Sequence, residues 1–543
     1  MADALRSVSN RVTVQTQRAD ARQVKNNAGG FTFKLTPQAQ LRRFLILGVD
    51  GGTYYQSAPA LARENAGVVE NLARTNPALL VDEIIEVGTK NLAPRANPVL
   101  FALAMAASPS VNEDVEQRTR ALQVLPEIAR TATQLFIFLN YVQQFRGWGP
   151  GLRKAVANWY TSKSTSQAAY QVVKYRQREG WTHRDVLRQA HPKAVTATEA
   201  KLYDYACGRD VEFDGDDALR IIEGFEKAKR ATSEKEFVAL ISEYGLSWEM
   251  LPDEALKSAN VWRAMIEKGM PQTALMRQLP RLTNLDVLRG EFQTKVAKQL
   301  SDPEAIKKGR LHPFNVLNAL ATYSSGHGFR GGQTWTPVSK VVNALDSAFY
   351  TAFGNVKPSG KSHLLALDVS GSMGLYSIAN SALKAREASV AMAMVTAAVE
   401  ENCEIVGFTS GYRGGSYDYN GGAISSLDVS PRRRLDDNVN AVSRLNFGGT
   451  DCSLPMLYAM KNKLKVEQFV IYTDNETWAG RVHPHQALRQ YRDASGIDAK
   501  LVVVGMTSTG FSIADPSDAG MLDVVGFDSS APALMTEFAT GNL

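Results

Sequence analysis

Five oxygen-bearing residues in three separated strings are the part of this chain best suited to chemistry. Asp368-Val369-Ser370-Gly371-Ser372 presents a carboxylate and two hydroxyls at alternate positions. Thr450, in Gly448-Gly449-Thr450-Asp451, and Asp474, after Val470-Ile471-Tyr472-Thr473, add a third hydroxyl and a second carboxylate. All five are hard oxygen donors, the set that suits Mg2+, which favours octahedral oxygen ligation and keeps some of its waters. A lone D-x-S-x-S string says little, because Ser and Asp are common turn formers. The order of the three strings within a β/α pattern carries the reading. A second chemistry is electrostatic. Residues 151–200 hold nine basic residues (Arg153, Lys154, Lys163, Lys174, Arg176, Arg178, Arg184, Arg188, Lys193) against three acidic ones. That excess suits a polyanion, and equally a solvated helix face.

Other strings fail on context. Gly326-His327-Gly328-Phe329-Arg330-Gly331 has GxGxxG spacing, but it follows the helical stretch Phe314–Tyr323 and leads into Gln333-Thr334-Trp335-Thr336-Pro337. A dinucleotide fingerprint needs a strand before it and a helix after it. A flexible, basic loop with Arg330 placed to touch a polyanion is the better reading. His483-Pro484-His485 has no Cys or third His nearby and reads as a helix start. Gly51-Gly52-Thr53 lacks phosphate-loop spacing, and Cys452 has no recognisable His partner. No catalytic set emerges, so the expectation is a protein that is not an enzyme.

The elements that must position these residues divide the chain in two. With 543 residues, and roughly 150 per domain, two to four domains fit. Residues 361–543 carry 15 basic and 20 acidic residues, whereas the first 360 carry 46 and 35, a basic front and an acidic back. Residues 1–35 are polar and read as a flexible arm, mobile or tied down only by a partner. Residues 36–357 are dominated by helical patterning, as in Ala132-Leu135-Phe136-Phe138-Leu139-Val142, and many short helices in series suit an α-solenoid. Near Lys357-Pro358-Ser359-Gly360-Lys361, read as a hinge, the pattern switches. Apolar runs at Leu364–Leu367, Cys403–Phe408, Gln468–Tyr472 and Ala499–Val504 alternate with helical segments at Ser381–Glu400 and His485–Ala494. Residues 358–543 are therefore expected to form a doubly wound α/β domain with a parallel sheet and ligands at the carboxyl ends of its strands. No apolar run approaches the roughly 20 residues of a membrane span. The first residues lack the apolar core of a secretory signal, and three cysteines are too few for a disulfide framework. The expectation is a cytoplasmic protein without a membrane partner.

These strings carry a resemblance. Residues 361–543 resemble a von Willebrand factor A domain with a complete metal-ion-dependent adhesion site. That resemblance implies that Ser370 and Ser372 bind a divalent cation directly, with Thr450, Asp368 and Asp474 binding directly or through water. It also implies one coordination position left for an acidic group of a protein partner. Further forward, Leu45-Ile46-Leu47-Gly48 with Gly51-Gly52-Thr53-Tyr54-Tyr55 is similar to the opening of the TROVE module. Trp148, Leu152-Arg153-Lys154-Ala155, Trp159-Tyr160, Lys174-Tyr175-Arg176-Gln177-Arg178 and Gly180-Trp181-Thr182-His183 continue the match. So do Arg310-Leu311-His312-Pro313-Phe314, Gly326-His327-Gly328, Gly449-Thr450-Asp451-Cys452-Ser453-Leu454-Pro455, Asp474-Asn475-Glu476-Thr477 and Gly505-Met506-Thr507-Ser508. Over about residues 37–543 the chain resembles the Ro 60 kDa autoantigen family. The resemblance implies a ring of HEAT-like repeats closed by the A domain. It implies Y RNA on a basic outer surface and single-stranded 3′ ends of misfolded RNA in the ring, for RNA quality control or degradation. An exoribonuclease reached through the RNA would be a further partner. By resemblance Lys174, Arg176, Arg178, Arg184, Arg188 and His191 are phosphate contacts, with Lys193 closing the stretch. Trp148, Trp181 and Tyr175 are possible stacking platforms, although large rings are mostly buried in cores. The alternative is a metal-dependent protein-interaction module in which the A domain recruits a partner.

Overall fold

The computed structural model describes residues 12–541, apart from 27, 35, 48–66, 91–92, 94–95, 214, 329–331, 376–377, 379–382, 411, 414–415, 418–422, 446–447, 507–510 and 526–530. A helical half precedes an α/β half, as the switch in apolar pattern requires. Expected helices are found at Pro77–Thr89, Asn97–Ala106, Ala132–Val142 and Pro313–Ser324. Their starts have local causes. Asn76 caps Leu79, Thr131 forms a capping box with Gln134, and Pro stands in the first turn of Pro77–Thr89, Asn97–Ala106 and Pro313–Ser324.

The six-stranded sheet runs Met521–Val525, Lys500–Gly505, Gln468–Thr473, His363–Asp368, Cys403–Phe408, Ile424–Ser426. The first five strands are parallel; Ile424–Ser426 adds an antiparallel edge. Alternate residues serve opposite faces. Leu365, Leu367, Val470, Tyr472, Val502 and Val504 share one core with helical residues from Ala168 to Phe353, whereas Leu364, Ala366, Phe469, Ile471, Leu501 and Val503 form another under Leu454–Lys461 and Pro484–Ser495. A third core holds helical residues from Leu41 to Ala190.

The helical half meets the α/β half at both ends. Helix Pro37–Leu47 packs on strand Met521–Val525, and the turn Ala352–Asn355 packs on helix Ala385–Val399. The chain thereby closes a ring. The stretch read as a hinge is clamped: the Glu400 carboxylate accepts the backbone N–H groups of Ser359 (2.6 Å) and Gly360 (3.0 Å), and Lys361 pairs with Glu467 at 2.9 Å.

The polar arm departs from its expected behaviour. Over residues 12–34 it is folded onto the α/β domain of its own chain. Gln23–Lys25 pairs with Phe31–Lys34, which pairs in turn with Phe511–Ser512. Arg22 forks onto Asp515 at 2.8 and 2.9 Å. Polar composition suggests mobility, but polar side chains of this segment are buried, Gln15, Gln23 and Asn26 among them, together with Phe33. Residues 1–11 lie outside the described part. Among the described residues no helix is long and apolar enough to cross a membrane.

Candidate metal site and nucleic-acid interface

The parallel register places the acidic residues side by side. Leu367 pairs with Tyr472, so the neighbouring strands deliver Asp368 and Asp474 to the same edge of the sheet. Asp368 Oδ1 accepts the Ser370 N–H at 2.8 Å, which shapes the turn, and Asp368 Oδ2 accepts the Thr473 hydroxyl at 2.8 Å. The Ser370 and Ser372 hydroxyls lie 3.0 Å apart, and Ser372 hydrogen-bonds to Asp474. Thr450 is buried on an adjoining loop, its carbonyl accepting the N–H groups of Trp478 and Ala479, which follow Asp474, at 3.1 Å. Burial pushes the Asp368 carboxyl up from its ordinary range, and the nearby Asp474 pushes it further. Burial raises Asp474 likewise. Among the described residues no cluster of three or more His, Cys, Asp or Glu side chains could hold a metal. The contacts instead bring together two carboxylates and two hydroxyls, to which Thr450 would add a third, and two mutually repelling buried acids are what a hard divalent cation would relieve. The donor set therefore fits Mg2+.

Supporting residues were missed in the sequence. Thr473 holds Asp368, and Arg386 donates to the Ser370 carbonyl at 3.0 Å. Asp451 is buried, its carboxyl raised to about 6 by burial, and it accepts the Ser453 hydroxyl at 2.6 Å and the Gln15 amide at 2.8 Å. Thr473 and Asp451 adjoin predicted site residues, which is a usable signal; nothing in the local sequence signals Gln15. The Cys452 thiol is pushed well up by burial and then by Asp368, so it is not an activated nucleophile. His483 engages Gln17 and Gln23 with its two ring nitrogens, at 2.9 and 3.2 Å, and precedes helix Pro484–Ser495 as expected.

The basic stretch folds into a hairpin and a short helix. Gln177–Arg178 pairs with Trp181–Thr182 across a two-residue turn, in which Glu179 and Gly180 both have positive φ (52° and 80°). Thr182 then forms a capping box with Asp185 and starts helix His183–Ala190. That helix buries His183, Val186, Leu187 and Ala190. Arg184 and Arg188 recur at i and i+4 on the opposite face, His191 follows as the left-handed cap of the helix, and all three are exposed. Lys193 follows, also exposed. Among the described residues Arg184, Arg188, Lys193, Arg153 and Lys154 have no ion-pair partner. Arg176 is exposed over the Phe225 ring at 5.2 Å, and Arg178 is exposed and paired with Glu179 at 3.1 Å.

Lys174 stands apart from this set. It is half-buried, donates to the Tyr170 hydroxyl at 2.9 Å and lies 3.6 Å from Glu249. Lys163 is withdrawn too, donating to the Trp159 carbonyl at 2.9 Å, with burial lowering its ammonium to about 8. Trp181 is buried and touches half-buried Trp148, with ring centroids 5.9 Å apart. Tyr175 packs against the same core, so these aromatics serve the core first. Arg330 lies outside the described residues.

The TROVE domain family model matches residues 24–324, and the Ro60 von Willebrand factor A domain model matches residues 362–539. This chain belongs to the Ro60 family. Among Ro60 relatives, an RNA-binding protein RO60 from Deinococcus radiodurans is 40% identical over 548 residues, covering 100% of both chains. An RNA-binding protein RO60 from Caenorhabditis elegans is 35% identical over 607 residues, covering 98% of this chain and 92% of its own. The crystal structure of the Deinococcus radiodurans RO (RSR) protein superposes with a TM-score of 0.76 at 40% identity, covering 94% of this chain and all of that one. The Ro60 ring of helices closed by an A domain is the architecture described above.

Proposed function

We propose that this protein is the RNA-binding scaffold of a cytoplasmic ribonucleoprotein. A structured small RNA of the Y type would lie on the ridge formed by hairpin 177–182 and helix His183–Ala190. Single-stranded 3′ ends of misfolded RNA would enter the ring, and an exoribonuclease reached through that RNA would act on them. The observation that carries the reading is the exposed row of Arg184, Arg188 and Lys193, which has no ion-pair partner among the described residues. Cations without internal partners are free to neutralise phosphates and release counterions, and arginine adds bidentate phosphate contacts. The names of both RO60 relatives support RNA as the ligand. The test is fluorescence anisotropy with a folded hairpin RNA, the same hairpin bearing a single-stranded 3′ tail, and a blunt RNA duplex of equal length. Tailed RNA should bind most tightly and duplex least. Equal affinity for all three would overturn the division between ridge and ring.

The same proposal assigns Mg2+ to Asp368, Ser370, Ser372, Thr450 and Asp474. The cation would supply a bridging position for a carboxylate of a partner protein. One observation favours such a partner. Leu375 is 77% exposed and Trp478 38% exposed, and both adjoin site strings, Leu375 after Ser372 and Trp478 over Gly449. Asp368→Ala should abolish Mg2+ binding in calorimetry while leaving RNA affinity intact. Retained Mg2+ binding would remove the site.

A further inference from the structure

The residues that surround the metal-site loops include one from the far end of the chain. Gln15 is fully buried, and its side-chain amide is completely satisfied. Nε2 donates to Asp451 Oδ1 and to the Val482 carbonyl, each at 2.8 Å. Oε1 accepts the Thr477 hydroxyl at 2.6 Å. Its backbone is held as well: the Gln15 N–H donates to the Gly480 carbonyl at 2.8 Å, and the Gln15 carbonyl accepts Phe31 N–H at 2.9 Å. Asp451 follows Thr450, and Thr477 stands three residues after Asp474. The Thr477 hydroxyl also accepts the Cys452 N–H at 3.2 Å. One side chain thus bridges the two loops that carry Thr450 and Asp474.

The contact extends along the segment. Asn26 donates to the Thr477 carbonyl at 2.8 Å and accepts Gly30 N–H at 2.7 Å. Glycine is required at two points of approach. A Cβ at Gly30 would collide with the Thr477 carbonyl oxygen, and a Cβ at Gly480 would collide with the Gln15 amide and the Asp451 carboxylate. Helix Pro37–Leu47, the first described helix of the ring, follows the segment in sequence.

We propose that residues 12–34 form a strap in which Gln15 is a positioning residue for the divalent-cation site, so that strap docking and cation binding strengthen each other. This rests on the metal reading above. Groups outside the ligand shell that orient ligand loops commonly change metal affinity by about 10- to 100-fold. Linkage makes the effect reciprocal: if the docked strap tightens cation binding, the cation must tighten strap docking by the same factor.

The experiment uses the full chain and Mg2+ alone. Calorimetry compares wild type with Gln15→Ala and Gly480→Ala, and hydrogen exchange of residues 12–34 in wild type is followed with and without Mg2+. Both variants should bind Mg2+ about tenfold or more weakly, with helix content unchanged by circular dichroism, and Mg2+ should slow exchange of the wild-type strap. The exchange measurement needs no variant, so it stands even if a substitution prevents folding. Wild type that binds Mg2+ with strap exchange unaltered and Gln15→Ala affinity intact would overturn the strap proposal alone. Wild type that binds no Mg2+ would overturn the metal reading and the strap's role with it.

Discussion

Asp368 and Asp474 sit at buried strand ends, close enough to repel each other, while Arg184 and Arg188 stand in water on one helix turn after another. The acidic pair is held by neighbours on every side: Thr473, Ser370, Ser372, and at one remove Asp451 and Gln15. The basic row has no ion-pair partner among the described residues, and its helix rests on the core of helix Pro150–Thr161. Buried charge is costly unless it is paired or coordinated, so an acidic pair kept in the interior points to a cation. Exposed charge costs little, so it points to a partner only when nothing inside the chain uses it. The two regions therefore call for different evidence: a hydrogen-bonded frame for the first, and absent internal partners for the second.

The ridge rests on a buried aromatic core. Trp159 is fully buried beneath it, hydrogen-bonded to the Ala129 carbonyl and edge-on to Tyr160. Trp159→Ala should cost about 3–5 kcal/mol of stability in denaturant unfolding. A loss below about 1 kcal/mol would mean that the ridge does not depend on this core.

A second prediction sharpens the acidic half through pH. Asp451 is raised to about 6, and Asp368 and Asp474 are raised as well. A carboxyl with a native pKa above its unfolded value binds a proton in the native state that the unfolded chain releases. The metal-free protein should therefore lose stability as pH rises from about 4 through about 6 and beyond. A cation competes with those protons, so the thermal shift caused by Mg2+ should be larger at about pH 8 than at about pH 5.5. Equal shifts would show that the carboxylates are not ligands.

The smallest expected effect lies within the ridge. Lys174 is already engaged by Tyr170 and Glu249, so Lys174→Ala should weaken RNA binding less than Arg188→Ala does. Anisotropy titrations of the two variants decide it, and a larger loss at Lys174 would mean that RNA displaces Glu249.

Much of this was legible in the sequence. The four apolar runs after residue 360 became strands, because a central parallel strand is covered on both faces and so reads as apolar throughout, and helices at 132–142 and 313–324 followed from spacing. The meeting of Asp368 and Asp474 was readable for a related reason: neighbouring parallel strands bring their carboxyl ends together. The strap was not readable, since polar residues paired across more than 400 positions leave no local period. The edge strand Ile424–Ser426 and the 177–182 hairpin were too short to show one. Nor could charge counting separate Lys163 and Lys174, which are withdrawn, from Arg184 and Arg188, which are not.

The central claim is that unpaired cations on the ridge neutralise RNA phosphates. The most direct test measures the affinity of a hairpin RNA against salt for wild type and for the Arg184→Ala, Arg188→Ala, Lys193→Ala triple variant. Each lost phosphate contact should flatten the slope of log affinity on log salt by a little under 1, so the triple variant should lose about 2 to 3 in slope. An unchanged slope, with affinity intact, would place the RNA elsewhere on the molecule.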